Sequence, residues 1–378
     1  MTVDLFNRNE VKSEWLHPTE FPSMKGRQVV AIDLETCDTE LIKMGPGWAR
    51  KIGKVIGIAI SSGDFTAYYP IAHDGGGNMD KDVVLKYIKS VCEDESIQKV
   101  FHNAQYDIGW LSVLNIEVKG YIHDTMIAAA LLNENRYSYT LNSIVSEYLG
   151  EYKDEKVLKA KAEELGIDPK AEMYKLPAMY VGDYAEKDAE ITLELWQELK
   201  KEIIHQDISS IFNLETELFP CLVDMRFLGV RVDVEAAQKL KQELLEQEKG
   251  LLQKIKKETS VDVQIWAARS IEKVFQKLSL PYERTEKTNS PSFTKNFLSN
   301  HPHPLVKLIT QAREINKAHT TFIDTILKHS YKGRIHAEIN QLRSDNGGTV
   351  TGRFSYSNPN LQQIPAKNKD LGPRIRSL

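Results

Sequence analysis

Apolar and polar positions along the first part of the chain fall into short runs: "QVVAIDLE" (28–35), "KVIGIAISS" (54–62) and "FTAYYP" (65–70) are rich in β-branched and aromatic residues and separated by Gly and Asp. They read as three consecutive strands. "KDVVLKYIKSVC" changes to the helical period, and "IQKVFHN" (97–103) returns to strand. Helical patterns then dominate, over 104–114, 124–132, 140–148, 155–165 and a long stretch from about 179 to 204. A meander of strands followed by helices that cover both faces predicts a mixed α/β sheet.

The texture changes after residue 204, where Gly-poor segments rich in Leu, Glu, Gln and Lys take over. Leu240, Leu244, Leu251 and Ile255 share one stripe, and Leu308, Ala312, Ile315, Phe322 and Ile326 share another, which predicts an antiparallel helical pair. Between them "LPYERTEKTNSPSFTKN" reads as a loop-rich, basic tip. No internal repeat or low-complexity tract interrupts this pattern.

A length of 378 residues exceeds one ordinary core and implies two or three packing units. Hydrophobic residues at 41% and charged residues at 27% are those of a globular protein, so disorder is not the default. Cys37, Cys92 and Cys221 lie too far apart in sequence for a zinc spacing and cannot all pair, which points to a reducing setting. The longest apolar run, "MIAAALL" (126–132), is too short to span a bilayer, so no membrane role is expected. The net charge of −4 hides an asymmetry: from Lys332 onward eight Lys or Arg, Lys367 among them, face three acids. Local charge is what a phosphate backbone feels.

Asp-x-Glu occurs four times, but only Asp33 and Glu35 end a strongly apolar strand, where a period of two puts both carboxylates on one face. Acids there lose hydration and repel each other, and a bound divalent cation would compensate them. "HNAQYD" (102–107) follows the fourth strand, with Asn103 placed to cap a helix whose first turn carries Asp107. "YAEKD" (184–188) sets Tyr184 and Asp188 one helical turn apart. Each has an ordinary structural alternative: a sheet rim, a cap, a helix-terminal charge, a core aromatic.

Taken together, "DLE", "NAQYD" and "YAEKD" resemble the three motifs of the DnaQ-like proofreading exonucleases of the Asp-Glu-Asp-Asp type with a tyrosine in the third motif, over roughly residues 25–204. The resemblance implies an RNase H-like fold and two divalent cations, Mg²⁺ or Mn²⁺. It implies that Asp33 bridges both ions, that Glu35 and Asp188 complete the tighter site, and that Asp107 holds the second through water. Tyr184, with Glu35, would orient the attacking water. "HDTM" (123–126) also resembles this family, and Asp124 reads as a helix cap.

"TGRFSYSNPNLQQIP" (351–365) closely resembles the stretch before the first palm motif of family A DNA polymerases, the group of bacterial DNA polymerase I and several phage replicases. "LFPCLVDMRFLGVRVD" (218–233) resembles the same family's approach to palm and thumb, and "REINKAHTTFID" (313–324) its second long thumb helix. The expected division is an exonuclease domain over 1–204, then thumb and the start of the palm over 205–378, with the thumb at about 233–330. The resemblance implies DNA as partner: a single-stranded 3′ end at the carboxylates and a primer-template duplex at thumb and tail. Arg353, on a Gly-flanked turn, would reach the minor groove, where acceptors look alike for every correct pair. Asn103, Asn358, Asn360, Gln362 and Gln363 offer further polar contacts, and Pro359 and Pro365 stiffen the turn.

No segment of this sequence carries the palm carboxylates or the fingers lysine that follow in the family, so polymerisation is expected only with a second chain or a longer gene product supplying them. Alternatives are a free-standing 3′–5′ exoribonuclease and a non-catalytic primer-template clamp. The expected location is the cytoplasm of a bacterium or phage-infected cell.

Overall fold

The computed structural model describes residues 11–151, 155–345, 347–366 and 368–378. Lys367, one cation of the basic C-terminal stretch, lies outside the described residues, as does the start of the N-terminal segment. The chain forms two compact units, one of residues 1–229 with 336–360, the other of 230–335 with 361–378.

In the first unit the expected strands appear as β1 (Val29–Cys37), β2 (Lys54–Ser61), β3 (Thr66–Pro70) and β4 (Gln98–Phe101). A fifth, β5 (Ile122–Asp124), went unread because only three residues separate its start from the helix that follows. The sheet order is β3-β2-β1-β4-β5. The first three strands pair antiparallel, and β4 and β5 run parallel to β1. The sheet is therefore mixed.

Its helices are α1 (Leu41–Met44), α2 (Lys81–Cys92), α3 (Ala104–Val113), α4 (Thr125–Leu132), α5 (Leu141–Tyr148), α6 (Lys156–Leu165), α7 (Gly182–His205), α8 (Ser209–Glu217) and α9 (Phe219–Leu228). Buried Ile191, Leu195, Trp196 and Leu199 of α7 join Val30, Ile32, Ile58 and Ile60 of the sheet in one core. With both faces covered, β1 and β2 read as continuous apolar runs rather than alternating ones. The short strands Glu338–Asn340 and Ser355–Ser357 pair antiparallel in the same unit.

In the second unit α10 (Val234–Thr259) packs on α13 (Pro304–Lys317). The pair is antiparallel, since Lys241 meets Asp324 while Glu248 meets Asn316 and His319. The stripe over 304–328 needs correcting. Val306, Ile309 and Ala312 are the buried positions, and Leu308, Ile315 and Phe322 are only half-buried. Ala312 and Ile326 are buried as expected, and across a π-helical turn over Ala318–Ile323, leading into α14 (Asp324–His329), Ile323 faces inward in place of Phe322. A fixed 3.6 period cannot register such an insertion. α11 (Ala268–Lys277), α12 (Lys295–Asn300) and a hairpin of Glu283–Arg284 with Pro291–Ser292 build the tip around Phe275, Phe293 and Leu298. α15 (Leu371–Arg376) ends the chain. Among the described residues no helix is long and apolar enough to cross a membrane.

Candidate active site

β1 delivers Asp33 and Glu35 two residues apart, and Leu34 between them is buried on the opposite face. From above, α7 delivers Asp188, itself buried. Ligand oxygens of Asp33, Glu35 and Asp188 all lie within 4.8 Å of one another. Three carboxylates so close repel strongly, and the set contains neither His nor Cys, the chemistry that suits a hard divalent cation. The residues present therefore fit such an ion.

Asp107, in the first turn of α3, is buried, and its Oδ1 accepts from the backbone N–H of Leu34 at 3.3 Å. The carboxyl thus docks on β1 between Asp33 and Glu35. Burial first, then the charges of Asp33, Asp124 and Glu35, pushes Asp107 well above the usual carboxylate range, with the Leu34 amide pulling the other way. Tyr184 lies one turn before Asp188 on α7. Its phenol is raised well above its ordinary value by burial and by the charges of Asp188, Glu35 and Asp33, and it hydrogen-bonds to Asp188. The phenol therefore holds its proton more tightly than a free tyrosine does.

Asp33, Ala59 and Tyr68 stand opposite one another across β1, β2 and β3, as do Glu35, Gly57 and Pro70. Tyr68 leans over Gly57, where a Cβ would lie 2.0 Å from the phenolic oxygen. That oxygen meets His73 Nε2 at 2.6 Å, and His73 Nδ1 meets the Leu176 carbonyl at 3.0 Å. The carbonyl can only accept, so Nδ1 carries the proton and Tyr68 donates to Nε2. Trp15 packs against Gly182, the first residue of α7, and its Nε1 donates to Glu186 at 2.9 Å. Glu186 also accepts from the Tyr68 backbone N–H at 2.9 Å, tying α7 to β3.

Asn103 departs from its expected capping role. It occupies the N-cap position of α3 in the left-handed region, φ 73° and ψ 57°, and its side chain makes no capping bond. The cap comes from Asp124 instead.

A cavity of about 380 Å³ borders the N-termini of α3, α4 and α5 and the segment 338–345, with Asn103, Tyr106, Tyr139 and Asn340 in its wall. Gln341, buried beside it, accepts from Gln105 at 2.9 Å and donates to the Glu215 carbonyl at 2.7 Å. Asp345 accepts from the Tyr139 N–H at 2.8 Å. Gln105 and Gln341 escaped the sequence reading, because isolated glutamines 236 positions apart carry no local signal.

Arg353 is exposed on its turn. Asn358 donates to Glu338 at 2.6 Å, and Glu338 lies 3.8 Å from the buried Arg226. Asn360 closes the first unit, while Gln362 and Gln363 belong to the second, so the segment 351–365 is shared between the two.

Residues 20–204 match the family model for 3′-5′ exonuclease, and residues 234–378 that for DNA polymerase family A. The DNA-directed DNA polymerase of Pseudomonas phage M6 is 35% identical over 375 residues, which cover 95% of this chain and 56% of that protein. DNA polymerase DpoZ of Salmonella phage PMBT28 is 30% identical over 387 residues, covering 95% of this chain and 59% of that protein. DNA polymerase I of Pseudomonas aeruginosa is 28% identical over 359 residues, covering 91% and 38%. The chain thus spans little more than half the length of these phage relatives. A solved structure, the POL domain of Pol1 from M. smegmatis in complex with DNA primer-template and dNTP, shares the fold with a TM-score of 0.66 at 21% identity, over 92% of this chain and 53% of that one. Matched across most of its length, with an RNase H-like 3′-5′ exonuclease domain over residues 20–204, the chain belongs to the family A DNA polymerases.

Proposed function

We propose that the acidic end of the sheet hydrolyses the terminal phosphodiester of a DNA 3′ end, releasing mononucleotides, with two divalent cations, Mg²⁺ or Mn²⁺, held by Asp33, Glu35, Asp188 and Asp107. The observation that carries this reading is the approach of three carboxylates to within 4.8 Å beside a buried fourth. Bound there, the ions would supply a water acidic enough to attack at neutral pH and charge for the leaving oxygen. Asp33, Glu35 and Asp188 would hold them through carboxylate oxygens, and the Leu34 amide holds Asp107 on the same strand. Tyr184 keeps its proton and, with an ion on the Asp188 carboxylate that now takes it, would turn that proton to the attacking water as a donor, not a base.

The cavity beside α3, with Asn103 in its wall, would receive the single strand. In this reading residues 1–204 are the exonuclease domain, and 205–378 contribute thumb and the start of the palm, the thumb spanning about 233–330. Arg353, Asn358, Asn360 and Gln362 would contact primer-template duplex. Asn358 would do so from its anchor on Glu338.

Mononucleotide release from 5′-labelled single strands of DNA and RNA, with Mn²⁺ or Mg²⁺, tests the proposal. DNA should be shortened from its 3′ end, and the double variant Asp33→Ala, Glu35→Ala should abolish the reaction. A double variant as fast as the parent chain would remove the site from the reaction. Preferential loss of RNA would instead make the chain an exoribonuclease.

A further inference from the structure

β4 and β5 are adjacent and parallel, with Phe101 paired to Asp124, so the helices that follow them, α3 and α4, start side by side. Asp124 lies at that junction, 1% exposed. Oδ1 accepts from the backbone N–H of Met126 at 2.7 Å and of Ile127 at 3.2 Å, an ordinary cap for α4. The same carboxylate reaches the neighbouring helix: Oδ2 accepts from the Ala104 N–H at 2.7 Å and Oδ1 from the Asn103 N–H at 3.3 Å. Thr125 completes the contact, its hydroxyl donating to the Phe101 carbonyl at 3.2 Å and meeting His102 Nδ1 at 2.8 Å. The turn from β4 into α3, including the left-handed Asn103, whose side chain makes no capping bond, is therefore held from α4.

We infer that Asp124 is a positioning residue for the nuclease reaction, its two oxygens bracketing α3 against α4 so that Asp107 docks on β1 between Asp33 and Glu35. The inference rests on the hydrolytic reading above. The link is geometric: Asp107 lies one helical turn beyond Asn103 and meets β1 at the Leu34 amide, 3.3 Å away. A rotation of α3 would lengthen that contact first. Displacements of about 1 Å in a reacting constellation cost on the order of a hundredfold in rate.

Two variants separate the bracket from plain capping. Asp124→Ser keeps one oxygen, enough for Met126 and Ile127 but too short for Ala104. Asp124→Asn keeps both reaches but presents an N–H₂ to one of the two helices. Asp80→Ala is the control, because Asp80 caps α2 through Asp82 and Val83 and touches no part of the site. The measurements are kcat and KM on single-stranded DNA and hydrogen exchange of amides 103–105 against 126–127. We expect kcat to fall about tenfold or more in Asp124→Ser with KM within about twofold, and amides 103–105 to exchange faster while 126–127 stay protected. Asp80→Ala should keep the parent kcat. A kcat within about twofold of the parent, or unchanged exchange at 103–105, overturns the inference, as does failure of both Asp124 variants to fold, since Asp124 would then be a determinant of the whole domain. A parent chain with no nuclease activity would sink the hydrolytic reading instead, and the exchange data would still test the bracket.

Discussion

Replacing Asp33 by Asn should stabilise the metal-free protein while weakening its response to a divalent cation. Ligand oxygens of Asp33, Glu35 and Asp188 are no more than 4.8 Å apart. At an effective dielectric of about 20, two unit charges at that distance repel by roughly 3.5 kcal/mol. Asp33 takes part in two such pairs. It and Glu35 are only half-buried, so solvent screens much of this, and removing the charge should yield about 1–3 kcal/mol. For a protein of this size that is a rise of roughly 3–8 °C in the transition of the first unit. A cation at a hundred times its dissociation constant should in turn stabilise the parent by about 2.7 kcal/mol and the variant by much less. Thermal unfolding followed by intrinsic fluorescence, in EDTA and in Mn²⁺, reads both effects. The order of the two proteins should invert between the two conditions. A variant less stable than the parent in EDTA, with an equal shift in Mn²⁺, would refute the electrostatic argument.

Three further outcomes are expected. Tyr184→Phe removes the phenolic hydroxyl while keeping the ring, and should lower the nuclease kcat about a hundredfold with the Mn²⁺ stabilisation intact; a loss of both would assign Tyr184 to ion binding. Burial lowers His73 from 6.5 to about 4, so between those values the unfolded chain takes up a proton that the folded chain refuses. Stability should therefore fall by about 2 kcal/mol from pH 7.5 to pH 5 on this account, and urea midpoints of His73→Gln should show a shallower slope; equal slopes would contradict it. Gly182→Ala puts a Cβ 2.1 Å from the buried indole of Trp15 and should cost about 1–3 kcal/mol by overpacking, read by urea denaturation; an unchanged midpoint would mean that the N-terminal segment yields freely.

The strands that carry the chemistry were legible because β1 and β2 are buried on both faces and their apolar runs have few other uses. Asp33 and Glu35 stood out as acids at the end of such a run, and Tyr184 and Asp188 as neighbours at helical spacing. What stayed hidden depends on contacts distant in sequence. Asn103 has the residue type of a cap, but Asp124, 21 positions later, supplies the bonds. Gln341 meets Gln105 only because the segment 336–360 folds back into the first unit. The second helical stripe was misplaced at Leu308 and Ile315, before the π turn at Ala318–Ile323, and at Phe322 within it, while Ala312 and Ile326 are buried as expected. β5 was too short to read beside the helix that follows it.

The central claim is that these oxygens trap hard cations, and anomalous diffraction from crystals soaked in Mn²⁺ tests it most directly. The account predicts a peak among Asp33, Glu35 and Asp188 with metal–oxygen distances near 2.1–2.2 Å, about those of small hard divalent ions, and a second peak about 3.5–4 Å away on the side of Asp33 and Asp107. Mn²⁺ bound only elsewhere, with the three carboxylates bare at saturating metal, would contradict it.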